Sequence, residues 1–273
     1  MECPPQSEGI FRINTIMKQS KYTSRKPDIN GYVAYSNEEH RVWRKLYREQ
    51  DELTKKYSCK EFRESLFRIG KISNSIPQLY TLSDKMREHT DWTAEPVPAL
   101  IKFDKFFHLL ANKKFPVATF IRNWDDLYYI EEPDIFHEVF GHCTMLTNPM
   151  FAEFAHAYGI AGNNATHEER VYLARLFWFT VEFGLIREDG EFKAYGAGLN
   201  SSPGEIKYST THPVPERRDF SVSDILRTPY RIDKYQTIYY VLDDFEQLMN
   251  LGKIDLLEEV HNAMRLGDFE REL

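Results

Sequence analysis

One acidic side chain stands alone in the most apolar stretch of the chain. Residues 176–186 read LFWFTVEFGLI, and Glu182 is their only ionisable group. A segment this apolar is expected in the core, where a carboxylate without a partner costs several kcal/mol. The fold must therefore give Glu182 a cationic partner, a proton or a metal ion. An ion pair with an arginine or lysine from elsewhere in the chain is the simplest of these.

Two histidines, His137 and His142, lie five residues apart in the segment HEVFGH. In zinc peptidases, two histidines four residues apart share a metal on one face of a helix. At about 3.6 residues per turn, a separation of five places the side chains about 140° apart on an α-helix. A shared metal would require the backbone to depart from the α-helix, which Gly141 would permit. The alternative is two unrelated helix histidines, one of them buried and hydrogen-bonded.

Two histidines and one glutamate are the ligand set of non-haem Fe(II) oxygenases, which leave coordination positions open for oxygen and substrate. Zinc hydrolases use the same residue types, so the ligands alone do not choose the metal. Two rival interpretations stand beside an iron oxygenase. One is a zinc peptidase that uses His137, Glu138 and His142, which the spacing disfavours. The other is a helical interaction domain that binds no metal, so metal content would separate the three.

Composition limits the class of protein. The chain has 273 residues, of which 42% are hydrophobic and 14% aromatic, as expected for a folded core. Its net charge of −7 is not that of a general nucleic-acid binder. Its three cysteines lack paired spacing, which argues against a disulfide scaffold and favours a reducing compartment. We find no secretory signal or membrane-spanning stretch, and we expect a cytoplasmic protein that binds neither nucleic acid nor membrane.

The hydrophobic pattern predicts a mainly α fold with a few short β-strands in a single domain. Residues 1–30 lack periodicity and are expected to form a flexible arm before a domain spanning 31–273. Helices dominate the expected structure over 134–186. Further helices are predicted at 37–57, 60–66, 83–89, 97–111, 221–226, 235–250 and 255–265, with a strand at 115–121 and a weak strand or bulge at 193–199.

Longer blocks of the sequence resemble the pterin-dependent aromatic amino acid hydroxylases. The blocks are VPALIKFDKFFHLLA (97–111), FPVATFIR (115–122), PDIFHEVFGH (133–142), LTNPMFAEFAHAYG (146–159), FWFTVEFGL (177–185), YGAGLNSSPGE (195–205) and RTPYRIDKYQTIYYVL (227–242). The resemblance extends over about residues 43–242 and is strongest to the short bacterial members that hydroxylate phenylalanine. It implies a catalytic domain without a regulatory domain or a terminal tetramerisation helix, and a monomer or small homo-oligomer.

The resemblance implies a monooxygenase that converts L-phenylalanine to L-tyrosine with O2. Its cofactors would be Fe(II) and tetrahydrobiopterin or a related tetrahydropterin, which together carry the oxygen activation. His137, His142 and Glu182 stand at the positions of the iron ligands, in agreement with the physical argument above. A role in phenylalanine catabolism or tyrosine synthesis follows from the reaction.

The same resemblance implies roles for the other site residues. Arg122 stands where the family binds the substrate carboxylate, for which a guanidinium fork is suited. Ser201 matches a serine that hydrogen-bonds the first iron histidine. The implied substrate-binding residues are Arg122, Pro133, Trp178, Gly198 and Ser201. For each of them, core packing or an ordinary turn or surface position is the alternative.

On the cofactor side, Phe106 matches a phenylalanine that stacks on the pterin ring, and Glu138 a glutamate that contacts the pterin through water. Glu138 is also the residue predicted to be catalytic. Ile101 and Ala174 fall at positions that line the pterin site. Ordinary core packing, or a solvated helix position for Glu138, is again the alternative.

Two positions bear on the preferred ring. Ile232 stands where tyrosine hydroxylases carry an acid, and Trp178 where tryptophan hydroxylases carry the smaller phenylalanine. These two residues favour phenylalanine as the substrate, although isoleucine at 232 also occurs among tryptophan hydroxylases. On the pterin side, Pro116 replaces a histidine of the animal enzymes, as in bacterial members.

Overall fold

A computed structural model describes residues 21–98, 100–128, 130 and 132–270. This part of the chain is mainly helical with six short strands, which confirms the predicted fold class. None of its helices is long and apolar enough to cross a bilayer. The α-helices are α1 (Asn37–Tyr57), α2 (Lys60–Ile69), α3 (Leu79–Thr90), α4 (Phe103–Ala111), α5 (Pro149–Asn164), α6 (His167–Phe177), α7 (Ala197–Asn200), α8 (Glu205–Thr211), α9 (Val222–Arg227), α10 (Glu246–Leu251) and α11 (Leu256–Leu266).

Two further helical segments have π geometry, and both lie at the centre of the molecule. They are π1 (His137–Cys143) and π2 (Trp178–Glu182). The strands are β1 (Thr93–Val97), β2 (Lys114–Ala118), β3 (Leu185–Glu188), β4 (Glu191–Ala194), β5 (Glu216–Asp219) and β6 (Ile238–Leu242).

Helix α1 begins where its sequence predicts. The Ser36 hydroxyl accepts a hydrogen bond from the Glu39 backbone N–H, and the Glu39 carboxylate accepts one from the Ser36 N–H. This reciprocal pair is a capping box, which satisfies two N–H groups at the start of the helix. Val42 and Trp43 then face the core and are almost completely buried.

The strands form two small sheets. β1 and β2 pair in parallel, and the second sheet has the order β4-β3-β6-β5. In it, β3 and β4 form an antiparallel hairpin, whereas β6 runs parallel to both β3 and β5. Because π2 leads directly into β3, this sheet holds the segment that carries Glu182.

The prediction of one helix over 235–250 is wrong. Residues 238–242 (IYYVL) form the central strand β6, and only Glu246–Leu251 is helical. All five residues of β6 are buried between β3 and β5. A short, continuously apolar run is compatible with either a buried strand or a buried helix, so periodicity alone did not distinguish them.

Other boundaries also differ from the prediction: α3 begins at Leu79 rather than at 83, and β2 ends at Ala118 rather than at 121. The helix expected over 97–111 begins only at Phe103, because Val97 ends β1 and the prolines at 96 and 98 disfavour a helix. The strand or bulge expected over 193–199 ends at Ala194. The residues that follow turn into α7 from Ala197.

Most of the arm predicted for residues 1–30, namely residues 1–20, lies outside the described residues. Its remainder contacts the body of the protein: the ring of Tyr22 stacks on Phe120 at 5.0 Å, and Ser24 Oγ accepts a hydrogen bond from the Thr119 N–H. The predicted domain boundary near residue 30 stays a prediction.

Candidate active site

The π-helix π1 brings the two histidines together. In a π-helix the backbone hydrogen bonds run between residues five apart, so such residues are one turn apart. The Thr144 N–H accordingly donates to the carbonyl of Val139. The Nε2 atoms of His137 and His142 lie 3.1 Å apart. The backbone therefore departs from the α-helix as a shared metal would require, and the spacing is no obstacle to a metal site.

The second π-helix, π2, places Glu182 against both imidazoles. The Phe183 N–H donates to the Trp178 carbonyl at 2.9 Å, which is again a bond between residues five apart. Glu182 Oε1 lies 2.9 Å from His142 Nε2, and Oε2 lies 3.6 Å from His137 Nε2. Glu182 is buried, and its partners are thus the two histidines rather than a lysine or arginine.

Helix α7 packs against both π-helices through two glycines. A side chain on Gly141 would lie 2.8 Å from the Ala197 Cβ, which is closer than ordinary contact. A side chain on Gly198 would lie 3.2 Å from Glu182 Oε2. These close approaches require small residues, and they bring α7 next to the histidines and to Glu182.

Burial and mutual charge shape the ionisation of this cluster. Burial opposes the charge on Glu182, but the imidazoles of His142 and His137 hold the pKa of its carboxyl well below the usual range. Burial lowers the pKa of His142. Burial also raises the pKa of the neighbouring Glu138 to about 8, with Glu182 adding to the rise and His137 opposing it. Of the two carboxyl groups, Glu182 is the one held in its charged form.

The residues present fit a divalent transition metal. In the described part of the chain, Glu182 Oε1 is buried and accepts no hydrogen bond of good geometry, although His142 Nε2 lies 2.9 Å away. His137 Nδ1 lies 2.8 Å from Ser201 Oγ, a contact that orients the ring and leaves Nε2 free to bind a metal. Ligand atoms of His137, Glu138 and His142 also lie within 4.8 Å of one another. We favour Glu182 as the carboxylate ligand because it contacts both Nε2 atoms directly.

A cavity of about 380 Å³ opens beside this cluster. This size is within the range for small-ligand sites. All five residues predicted to bind substrate line it, together with two of the predicted metal ligands. These residues are Arg122, Pro133, His137, Trp178, Glu182, Gly198 and Ser201.

Arg122 is buried in the cavity wall and already has an internal partner. Its Nε and Nη2 each donate to a carboxylate oxygen of Asp134 at 2.8 Å, and Nη1 donates to the Leu127 carbonyl at 3.4 Å. A guanidinium has five N–H groups, so two remain for a ligand. Asp134 also accepts from the backbone N–H of His137 and so joins Arg122 to the start of π1.

Trp178 forms a rigid part of the same wall. Its indole is stacked on Tyr230 with centroids 4.4 Å apart and lies 4.5 Å from the ring of Phe183. Its Nε1–H donates to Gln236 Oε1 at 3.0 Å. Ile232 lines the cavity but is 44% exposed, which places it at the mouth.

The residues predicted to bind pterin do not line this cavity. Phe106 is buried edge-on against Phe177, whose ring lies 5.9 Å from that of His142. Ala174 is buried in α6, and Ile101 is partly buried against the core. Glu138 is buried next to His137 in π1. None of the four residues lines the cavity, and their binding roles stay predictions.

Three residues of the site were not found by sequence analysis. Asp134 binds Arg122, while Glu205 and Gln236 line the cavity and bond to each other. Asp134 and Glu205 are acids within the blocks 133–142 and 195–205, which is a weak signal. Gln236 also lies in a resembling block, 227–242, but nothing in the sequence marks its side chain as part of the site.

Comparison with known proteins agrees with this geometry. The family model for biopterin-dependent aromatic amino acid hydroxylases matches residues 10–255. The phenylalanine-4-hydroxylase of Vibrio cholerae is 48% identical over 264 residues, which cover 95% of this chain and 91% of that protein.

The chain is also similar to solved structures of phenylalanine hydroxylases. The cold-active phenylalanine hydroxylase of Colwellia psychrerythraea has a TM-score of 0.89 at 46% identity, covering 91% of this chain and 97% of that one. The phenylalanine hydroxylase of Chromobacterium violaceum, solved with bound Fe(III), has a TM-score of 0.84 at 37% identity, with coverage of 90% and 89%.

Proposed function

This chain belongs to the biopterin-dependent aromatic amino acid hydroxylase family, and on that basis we propose that it is a phenylalanine 4-monooxygenase. The reaction converts L-phenylalanine to L-tyrosine with O2 and a tetrahydropterin of the tetrahydrobiopterin type at an Fe(II) centre. The relatives named phenylalanine-4-hydroxylase support the substrate, and the Fe(III)-bound relative supports the metal.

One observation carries the proposal: a metal-ligand cluster and a carboxylate-binding arginine lie in the wall of one cavity. His137 and Glu182 supply the ligand side, and Arg122 supplies the cation. An amino acid whose carboxylate binds Arg122 would have its side chain within the same small space as the metal. This is the arrangement that ring hydroxylation requires.

His137, His142 and Glu182 would hold the iron. When bound, iron and tetrahydropterin together supply the activation of O2. Ser201 positions His137 through the contact between Nδ1 and Oγ, and α7 keeps π1 and π2 at a fixed separation. The protein would thus hold the three ligands in position for the metal.

The substrate is oriented by two sides of the cavity. Arg122 would bind the α-carboxylate with the two N–H groups that Asp134 and Leu127 leave free. Trp178 would bound the ring pocket, with Pro133 and Gly198 shaping its floor. A pocket of this size would surround the ring and exclude water from it.

We propose that the pterin binds outside this cavity, at the four residues that do not line it. Phe106 would stack on it, Ile101 and Ala174 would line its site, and Glu138 would contact it through water as the predicted catalytic residue. A cytoplasmic location and a monomeric or small homo-oligomeric state complete the proposal. The sparse cysteines of the sequence support that location.

The test is reconstitution with Fe(II) followed by measurement of tyrosine formation and oxygen uptake with phenylalanine and tetrahydropterin. We expect one iron per chain and tyrosine formation that depends on the pterin. Zinc-dependent peptide hydrolysis without pterin dependence would favour the peptidase, and a failure to bind any metal would favour an interaction domain.

The role of Arg122 has its own test. Arg122→Lys keeps the charge but loses the planar fork, so the KM for phenylalanine should rise strongly while the KM for pterin moves much less. An equal rise of both constants would mean that Arg122 is structural.

A further inference from the structure

Gln236 is a buried cavity residue whose side-chain amide is fully hydrogen-bonded. It lies at the end of the loop that connects α9 to β6. Its Nε2 donates to the carbonyls of Arg231 at 2.7 Å and Lys234 at 3.3 Å. Its Oε1 accepts the indole N–H of Trp178 at 3.0 Å. One side chain therefore joins the loop 231–236 to the pocket wall.

The backbone of Gln236 is fixed as well. Its N–H donates to Glu205 Oε1 at 3.1 Å, and the same oxygen accepts the hydroxyl of Tyr239 at 2.8 Å. Glu205 begins α8, and Tyr239 lies in the central strand β6. Gln236 is thus held from two elements and cannot move without breaking buried hydrogen bonds, which is costly.

The anchored Gln236 fixes the position of the Trp178 indole within the plane of its ring. The stack on Tyr230, with planes 15° apart, fixes the plane of the indole but resists sliding within that plane only weakly. A hydrogen bond is directional, and the bond from Nε1 to Gln236 supplies the missing constraint. Without it, the indole could shift in its plane and change the width of the pocket.

We propose that Gln236 is a specificity-positioning residue, which holds the Trp178 indole so that the pocket accepts a six-membered ring and crowds a bicyclic one. The proposal rests on the proposed function, in which Trp178 bounds the ring pocket. The ligand class concerned is the aromatic L-amino acids, with L-phenylalanine and L-tryptophan as the informative pair.

The experiment compares two variants of the iron-loaded enzyme. Gln236→Met has a similar shape but removes the acceptor for the indole. Gln236→Glu keeps that acceptor and loses the two amide donors. For Gln236→Met, we expect the ratio of kcat/KM for tryptophan to that for phenylalanine to rise about twofold to tenfold, the effect of one lost hydrogen bond. For Gln236→Glu, we expect a lower melting temperature but a ratio near that of the unsubstituted enzyme.

Gln50 offers a matched control. It is a buried glutamine outside the cavity whose amide has no hydrogen-bond partner among the described residues. Gln50→Met should leave the selectivity ratio unchanged. If Gln236→Met does not fold, Gln236→Ala removes the same acceptor and serves in its place.

A double variant tests the route through the indole. The side chain of a phenylalanine at position 178 has no N–H group to donate to Gln236. In a Trp178→Phe background, the further change Gln236→Met should therefore leave the selectivity ratio unaltered. Ultraviolet resonance Raman spectra of tryptophan report the indole hydrogen bond directly. They should show its loss in Gln236→Met and its retention in Gln236→Glu.

The inference would be overturned if every single variant at position 236 had the same tryptophan-to-phenylalanine ratio as the unsubstituted enzyme. It would also be overturned if the effects of Trp178→Phe and Gln236→Met on that ratio were additive in the double variant. So would a ratio in Gln236→Glu that changes as much as in Gln236→Met, because the effect would then follow loop stability. If the unsubstituted enzyme formed no tyrosine, the proposed function would fail instead. In that case, retention of the Raman signal in Gln236→Met would independently refute the positioning contact.

Discussion

Arg122 shows how a buried partner orients a single side chain. Its pair with Asp134 is buried, with 0% of the Asp134 side chain exposed. Removing one partner of a buried pair leaves an uncompensated charge and typically costs about 3–5 kcal/mol. The pair therefore fixes the guanidinium plane independently of the proposed contact with the substrate.

We predict that Asp134→Asn lowers the free energy of unfolding by a few kcal/mol, up to about 3–5 kcal/mol, and raises the KM for phenylalanine more than the KM for pterin. Urea unfolding and steady-state kinetics measure both effects. Asp84→Asn is the control, since its pair with Arg87 is exposed and should contribute less than about 1 kcal/mol. An unchanged KM for phenylalanine would contradict the positioning role of Asp134.

Glu205 gives a pH-dependent contribution to stability. Burial raises its pKa to about 7, while hydrogen bonds from Gln236 and Tyr239 oppose the rise. The folded protein therefore holds a proton that the unfolded chain releases above about pH 4.5. The contribution of Glu205 to the free energy of unfolding is fully present below about pH 4.5 and is lost as the pH rises towards 7. The difference in pKa corresponds to about 3 kcal/mol.

Glu205→Gln keeps an acceptor oxygen and removes the titration. We predict that its free energy of unfolding falls less between pH 4.5 and 7 than that of the unsubstituted protein, with a difference of up to about 3 kcal/mol. Urea unfolding at several pH values measures the slope. Parallel slopes for the two proteins would show that Glu205 does not titrate in this range.

At the scale of single residues, the sequence predicts a site residue when its type is unusual for its surroundings in the chain. It does not predict a site residue whose role depends on a partner that is distant in sequence. Glu182 was identifiable because a lone acid in an apolar run needs a partner. Gln236 was not, because its bond to Trp178 joins residues 58 positions apart. Polar residues of this kind become informative only when the fold brings their partners together.

Among the elements, the π-helices determine the ligand geometry. The hydrogen-bond pattern of π1 converts a spacing of five into a shared face, and Gly141 lets α7 pack against that turn. Sequence analysis identified the need for a non-α backbone but not its form. A π-helix is rare and has no strong sequence signature, and here it is stabilised by packing against a distant helix.

We predict that Gly141→Ala destabilises the protein by about 1–3 kcal/mol, because its Cβ would lie too close to Ala197. Iron affinity should fall as well, since π1 carries both histidines. Thermal melting and metal titration measure these effects. Adding Ala197→Gly removes the nearest carbon and should restore part of the iron affinity. No recovery in the double variant would mean that the substitution acts on π1 itself.

Other elements also differ in how far the sequence predicts them, according to whether their hydrogen bonds are local or long-range. Helix α1 was predictable because its cap lies within four residues, at Ser36 and Glu39. Strand β6 was mistaken for a helix because its character depends on β3 and β5, which are distant in sequence. Local hydrogen bonds can be inferred from the chain alone, whereas strand pairing requires the tertiary fold.

In the molecule as a whole, the ligand cluster connects segments that the chain order keeps apart. His137 and His142 lie in π1, Glu182 in π2, and Ser201 directly after α7. A metal bound by the first three would cross-link the two π-helices at the centre of the core. Metal binding and global stability should therefore be coupled, because the unfolded chain does not assemble this site.

We predict that Fe(II) at one hundred times its Kd stabilises the fold by about 2.7 kcal/mol, which corresponds to a rise in Tm of about 5–10 °C. A chelator should reverse the rise. Glu182→Ala should abolish it, because one of three ligands is lost. Glu191→Ala should preserve it, because that carboxylate is exposed and pairs with Lys193. If the metal raised the Tm of Glu182→Ala as much as that of the unsubstituted protein, the stabilising ion would bind elsewhere. The reason is that the loss of a ligand must weaken the binding of the ion and so reduce the rise in Tm.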